Sequence, residues 1–129
     1  DKTAFHKTGN AADIAEFFEP VVQELRNREI HLLLKEAENI DLRTALIGIS
    51  RNTAEHLFHH MSENKGRMII EEMDHLDMVP FVDVVKSRKK ILDILYSLTL
   101  TGELSPDEKT ETFRNFINLY KMRDTTAQE

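Results

Sequence analysis

The chain has 129 residues, 17 basic against 23 acidic side chains, a formal net charge of −6 and no cysteine. That length suits one domain of ordinary size with a proper core. Disulfides, thiolate metal sites and cysteine nucleophiles are excluded, and the acidic balance argues against nucleic acid or an anionic membrane as a partner.

No apolar run approaches the roughly 20 residues of a membrane span, and no signal peptide is visible. The first residue is Asp1, which suits a fragment or a processed chain. With four glycines, three prolines and no sustained alternation, the hydrophobic periodicity is helical throughout. Residues 1–10 read as a flexible lead, and Asn10 is placed to cap a helix over 11–18. Pro20 fits the first turn of a short helix or a bend. Ile30, Leu33, Leu34 and Ala37 then form one buried stripe. Asp41 is a candidate cap for a short helix ending at Gly48. Asn52 is a candidate cap for the next, with Ala54, Leu57, Phe58 and Met61 inward. Ser62 opens a third helix running to about His75, in which Gly66 costs about 1 kcal/mol relative to Ala.

Residues 76–80 read as a connector, because Val79 precedes Pro80 and prefers extended backbone. A long helix is predicted over 81–100, with Val84, Ile91, Leu95 and Leu98 inward and Gly102 at its end. Ser105-Pro106-Asp107-Glu108 has the form of a capping box and predicts a further helix burying Phe113, Phe116, Ile117 and Tyr120. Residues 124–129 read as a flexible polar tail. The expected fold is all-α: a compact orthogonal bundle of roughly six to eight short helices, related to helical-repeat, armadillo-like folds.

Several residue groups invite a functional reading. Glu63, Arg67, Glu71 and Asp74 fall at i, i+4, i+8 and i+11 and share one helix face. That face is either an electrostatic docking strip or a solvated face carrying intrahelical pairs. His56 and His60 have a spacing that can chelate zinc, with His59 beside them. The stripe Ala54, Leu57, Phe58 and Met61 puts these histidines on the opposite, wet face, and no third ligand is marked, so no metal site is predicted. Lys86, Arg88, Lys89 and Lys90 read as the solvent face of the long helix. The aromatic last helix either packs on its own domain or serves as a partner helix. No nucleophile elbow, P-loop or dinucleotide fingerprint is present; neither enzymatic activity nor a cofactor is expected.

A wider pattern joins these pieces. Ala45-Leu46-Ile47-Gly48 closes a pair of helices, Met61-Ser62 precedes the charged helix, Glu71-Glu72 lies on it, and Asp83-Val84 and Gly102-Glu103 keep the order. Over residues 17–104 this resembles the C-terminal domain of the flagellar motor switch family FliG, with Phe17 and Phe18 where the family has an aromatic hinge motif. The division implied is a FliG-like helical domain over 11–104 and an additional C-terminal helix over 105–123.

The resemblance implies a non-enzymatic, cytoplasmic rotor component at the flagellar basal body. Such a component faces a MotA-like stator loop, contacts a FliM-like rotor protein and self-associates in a ring. It implies stator contact through Glu71 and Glu72, supported by Lys65, Arg67 and Asp74. The family's basic positions differ here: Ile47 stands before Gly48, Asn64 follows Ser62 by two, and Asp77-Met78-Val79-Pro80 replaces a Gly-Pro-Val-Arg connector. These departures describe a divergent member, or a paralogue acting as an adaptor for another partner.

Overall fold

Leu25, Ile30, Leu33, Leu42, Leu57, Ile69, Leu92 and Leu95 are at most 2% exposed and meet in one cluster, so helices far apart in sequence share a single core. The computed structural model describes residues 11–128, with side chains described from Asp13 to Met122. The expected lead over 1–10 and the Asn10 cap lie outside the described residues.

The order is α1 (Ala11–Ala15), α2 (Phe18–Gln23), α3 (Asn27–Glu36), α4 (Asn39–Ala45), α5 (Arg51–Phe58), α6 (Glu63–Asp74) and α7 (Phe81–Leu100). A 3-10 turn (Pro106–Glu108) and α8 (Glu111–Gln128) complete it. No strand occurs among the described residues. The expected all-helical multi-helix bundle is what forms. α7 is the central strut, lying against α1, α2, α3 and α4, while α6 packs on α4, α5 on α2, and α8 on α2 and the 3-10 turn. Its buried residues, Val84, Ile91, Leu92, Leu95 and Leu98 among them, include the stripe read from the sequence. Gly48 (φ 73°) and Gly102 (φ 82°) take left-handed backbone after α4 and α7, a conformation that costs other residues about 1 kcal/mol or more.

Three predicted starts are displaced, each by a contact from another element. Ser50, not Asn52, caps α5: its Oγ accepts from the Thr53 amide. The earlier start turns Thr53 fully inward, where Gln23 Nε2 donates to its hydroxyl at 2.6 Å and the hydroxyl donates to Glu19 at 2.8 Å. Asp41 does not cap α4. Extended Glu38 precedes the helix, and Asp41 is buried in its first turn, 3.7 Å from the Lys90 ammonium. An acid there still faces the positive end of the helix dipole.

Ser105 makes no side-chain cap bond, and the capping-box segment forms only the 3-10 turn. The helix restarts at Glu111 because Lys109 is drawn into extended backbone (φ −111°, ψ 171°) to bury its ammonium on Glu29 at 2.6 Å. Helical backbone then continues to Gln128, through residues expected to be a polar tail.

The last helix is part of the core. Phe113 and Phe116 are fully buried, and Ile117 and Tyr120 nearly so. Phe116 lies 6.0 Å from Phe17, 5.6 Å from Phe113 and 5.2 Å from Tyr120, and Tyr120 stacks on Tyr96 at 4.6 Å. Such offset and edge-on pairs add about 0.5–1.5 kcal/mol each beyond burial.

The basic run of α7 is not one solvent face. Lys86 and Lys90 are exposed, but the Arg88 guanidinium turns in, donating to the Ala45 and Ile47 carbonyls at 2.9 and 2.6 Å and lying 5.5 Å over the Phe18 ring. It satisfies carbonyls that the end of α4 leaves without helical partners.

Candidate functional site

α6 buries a single residue completely, Ile69, and presents most of its remaining surface. It starts where the sequence places it: Ser62 is extended, and its hydroxyl accepts from the Lys65 amide at 3.1 Å. Gly66 approaches the Phe58 ring.

The charged residues predicted for contact separate into two groups. Glu71 and Asp74 are exposed on the outer face. Nearer the start, Glu63 and Arg67 pair at 3.2 Å, both exposed, an i, i+4 pair worth a few tenths of a kcal/mol. Lys65 is turned the other way: its ammonium donates to the Leu34 carbonyl at 3.2 Å and ties α6 to α3. Glu72 is half-buried against α4, where Arg43 Nη1 donates to its carboxylate at 3.0 Å. The acidic pair is therefore one solvent-facing carboxylate and one engaged carboxylate.

Arg43 was not marked by the sequence. Spacing reveals pairs within a helix, whereas Arg43 and Glu72 sit on different helices 29 residues apart. With Met68, Glu71, Glu72, His75 and Leu76, Arg43 lines a shallow open groove at the C-terminal half of α6. Among the described residues, Arg43 Nε is buried without a hydrogen-bond partner. Met68 and Ile70 are exposed on the same helix, at 39% and 48%. His75 Nδ1 donates to the Glu71 carbonyl at 2.8 Å, which closes the end of α6. The surface offers carboxylates, one guanidinium and thioether and alkyl contacts: groups for docking a charged segment, with no nucleophile–base arrangement.

Phe17 and Phe18 lie at the entry to α2. Phe18 is 1% exposed beneath Arg88, and Phe17 is half-buried on Phe116. Both are committed to the core. Next to them, burial opposes ionisation of Glu19, but hydrogen bonds from Ser50 and Thr53 and the Arg88 charge outweigh it and hold the carboxyl below its usual range. Burial lowers the Arg88 guanidinium, partly offset by Glu19.

Of His56, His59 and His60, only His59 is exposed. His56 is half-buried, and its Nε2 donates to the Leu25 carbonyl at 2.8 Å. Among the described residues no three His, Asp or Glu side chains are arranged to hold a metal ion, and no helix is long and apolar enough to cross a membrane.

The family model for the FliG C-terminal domain matches residues 16–105. The flagellar motor switch protein FliG of Thermotoga maritima is 32% identical over 87 residues, 67% of this chain and 26% of that protein. The Helicobacter pylori protein of that name is 31% identical over 94 residues, 73% of this chain and 27% of its own length. That of Bacillus subtilis is 32% identical over 87 residues, 67% and 25%. The chain spans about a quarter of the length of these curated relatives. The match ends before α8 begins.

Proposed function

The chain belongs to the FliG C-terminal domain family, and from that premise we propose that it acts as a rotor and switch component of a bacterial flagellar motor. In this reading it stands at the cytoplasmic face of the basal body. It contacts a MotA-like stator loop and a FliM-like rotor protein, and it assembles with copies of itself in a ring. Its role is non-enzymatic: complementary charge guides repeated engagement of the stator loop, and the packed helices transmit force.

The observation that carries this proposal is the outer surface of α6. One core residue anchors the helix, while Glu63, Arg67, Glu71 and Asp74 share its exposed side beside the groove lined by Arg43 and Glu72. Glu71 and Asp74 meet the partner's cations. Glu72 meets Arg43 first, so it shapes the groove and contacts a partner only in competition. Arg43 brings positive charge to a surface on which Ile47 and Asn64 occupy positions that are basic in the family. Lys65 and Arg67 act by orienting α6 and Glu63.

Replacing both Glu71 and Asp74 by Lys in the native cell tests this reading. Both side chains are exposed, so the domain should unfold at nearly the wild-type midpoint while swimming is lost or slowed. Normal swimming by a folded double variant would remove α6 from torque generation. A fluorescent fusion then separates the readings: foci at basal bodies keep the rotor assignment, and diffuse signal in swimming cells favours an adaptor. The adaptor reading draws on Ile47, Asn64 and the connector 77–80, where the family's basic charges are missing.

A further inference from the structure

The histidines after Ala54 meet a fourth, His31 of α3, that spacing could not associate with them. The His60 ring stands 5.0 Å from His59, 5.8 Å from His56 and 5.8 Å from His31, edge-on in each case. The cluster joins α3, α5 and the turn that leads into α6. We propose that His31, His56, His59 and His60 form a pH-sensitive latch between α3 and the turn into α6, closed while the imidazoles are neutral and forced open when they take up protons.

Neutral imidazoles pack favourably edge to face. Protonated, each carries a charge within 5–6 Å of another, and histidine is the side chain that makes this change near neutral pH. Burial and then the charges of His59, His56 and His31 all act on His60 in one direction, against protonation. The other charged groups around the latch do not compensate. On α3, Arg28 and Lys35 lie one turn to either side of His31 and share a shallow depression with it. On α6, Lys65 reaches the α3 carbonyl of Leu34. The neighbouring carboxylates are engaged, Glu55 with Arg51 at 3.0 Å and Glu63 with Arg67 at 3.2 Å. Repulsion is relieved by moving the turn away from α3, and the Ser62 cap and the Lys65 tether follow within five residues of His60. Acidification thereby changes how the first turn of α6 is held. That this alters partner engagement rests on the function proposed above; the latch itself does not.

The test is a two-dimensional NMR titration of the intact labelled chain between about pH 8 and pH 5, following the histidine ring signals and backbone amides. His60 should titrate below the ordinary 6.5, the amides of Ser62 to Lys65 should move with its midpoint, and His31→Gln should raise that midpoint. A His60 midpoint at or above the ordinary 6.5, with stationary α6 amides, would overturn the latch. An unchanged His60 midpoint in a folded His31→Gln variant would overturn it too. Should that variant misfold, the wild-type titration decides alone. Swimming does not enter the measurement, so the latch and the rotor assignment fail separately.

Discussion

The ammonium of Lys109 sits 2.6 Å from the carboxylate of Glu29, across 80 residues of sequence, with the two side chains only 3% and 8% exposed. The same ammonium reaches the Glu24 carbonyl at 3.3 Å, and Glu29 also accepts from the Arg26 amide at 2.8 Å, closing the start of α3. Thr110 adds its amide and hydroxyl to the Glu24 carboxylate. One buried cation thereby ties the entry of α8 to the first turn of α3.

Removing one partner leaves the other charge buried alone, a change that typically costs 3–5 kcal/mol. Lys109→Met should lower the unfolding free energy by about 3 kcal/mol in urea. Lys109→Met with Glu29→Met should recover part of that loss, less the bond to the Arg26 amide. A single variant within about 0.5 kcal/mol of wild type would show that the pair contributes little.

Phe116→Ala empties a fully buried site between Phe17, Phe113 and Tyr120. Its expected cost is about 3–5 kcal/mol. A chain ending at residue 105 should go further and fail to give a cooperative unfolding transition. A truncated chain that melts sharply would make α8 an appendage.

The glycines divide by backbone. Gly66 is helical, and an added methyl would meet Phe58 at an ordinary 3.5 Å, so Gly66→Ala should stabilise by up to about 1 kcal/mol. Gly48→Ala and Gly102→Ala should each destabilise by about 1 kcal/mol, because both need positive φ. Thermal midpoints of the three variants check the opposite signs.

Glu19 makes the acid limb of stability pH-dependent. Its carboxyl is held below the ordinary 4.5, so the unfolded chain binds its proton first as pH falls. Its contribution is complete above 4.5 and disappears as pH drops through the lower folded value. Glu19→Gln should flatten the urea midpoint against pH in that window, and Thr53→Val, which removes one donor, should do so partly. An unchanged acid limb in Glu19→Gln would assign the dependence to other carboxylates.

Where a helix announces itself through its own residues, the sequence was readable. The stripe of α7, the aromatic face of α8, the Ser62 cap and the two terminating glycines follow from spacing or from one residue's conformational preference. The displaced starts are different. Ser50 prevails over Asn52 because Gln23 and Glu19 draw Thr53 inward, and the capping-box segment stops early because Glu29 captures Lys109. The charged face of α6 shares this division. Its i, i+4 pair was visible, but the hold of Arg43 on Glu72, the turn of Lys65 toward Leu34 and the meeting of His31 with His60 all bridge helices. Period and composition carry no information about which distant side chain arrives.

α8 also bears on synthesis. Phe17, ahead of α2, finds Phe116 only when α8 has formed, and Glu29 waits for Lys109. A nascent chain that has already emerged through residue 105 has everything the family model matches, yet it holds an unfilled aromatic face and an unpaired buried carboxylate. Completion of this core therefore waits for α8, and chaperones have the longest opportunity to act on α2 and α3 while that helix is still being made.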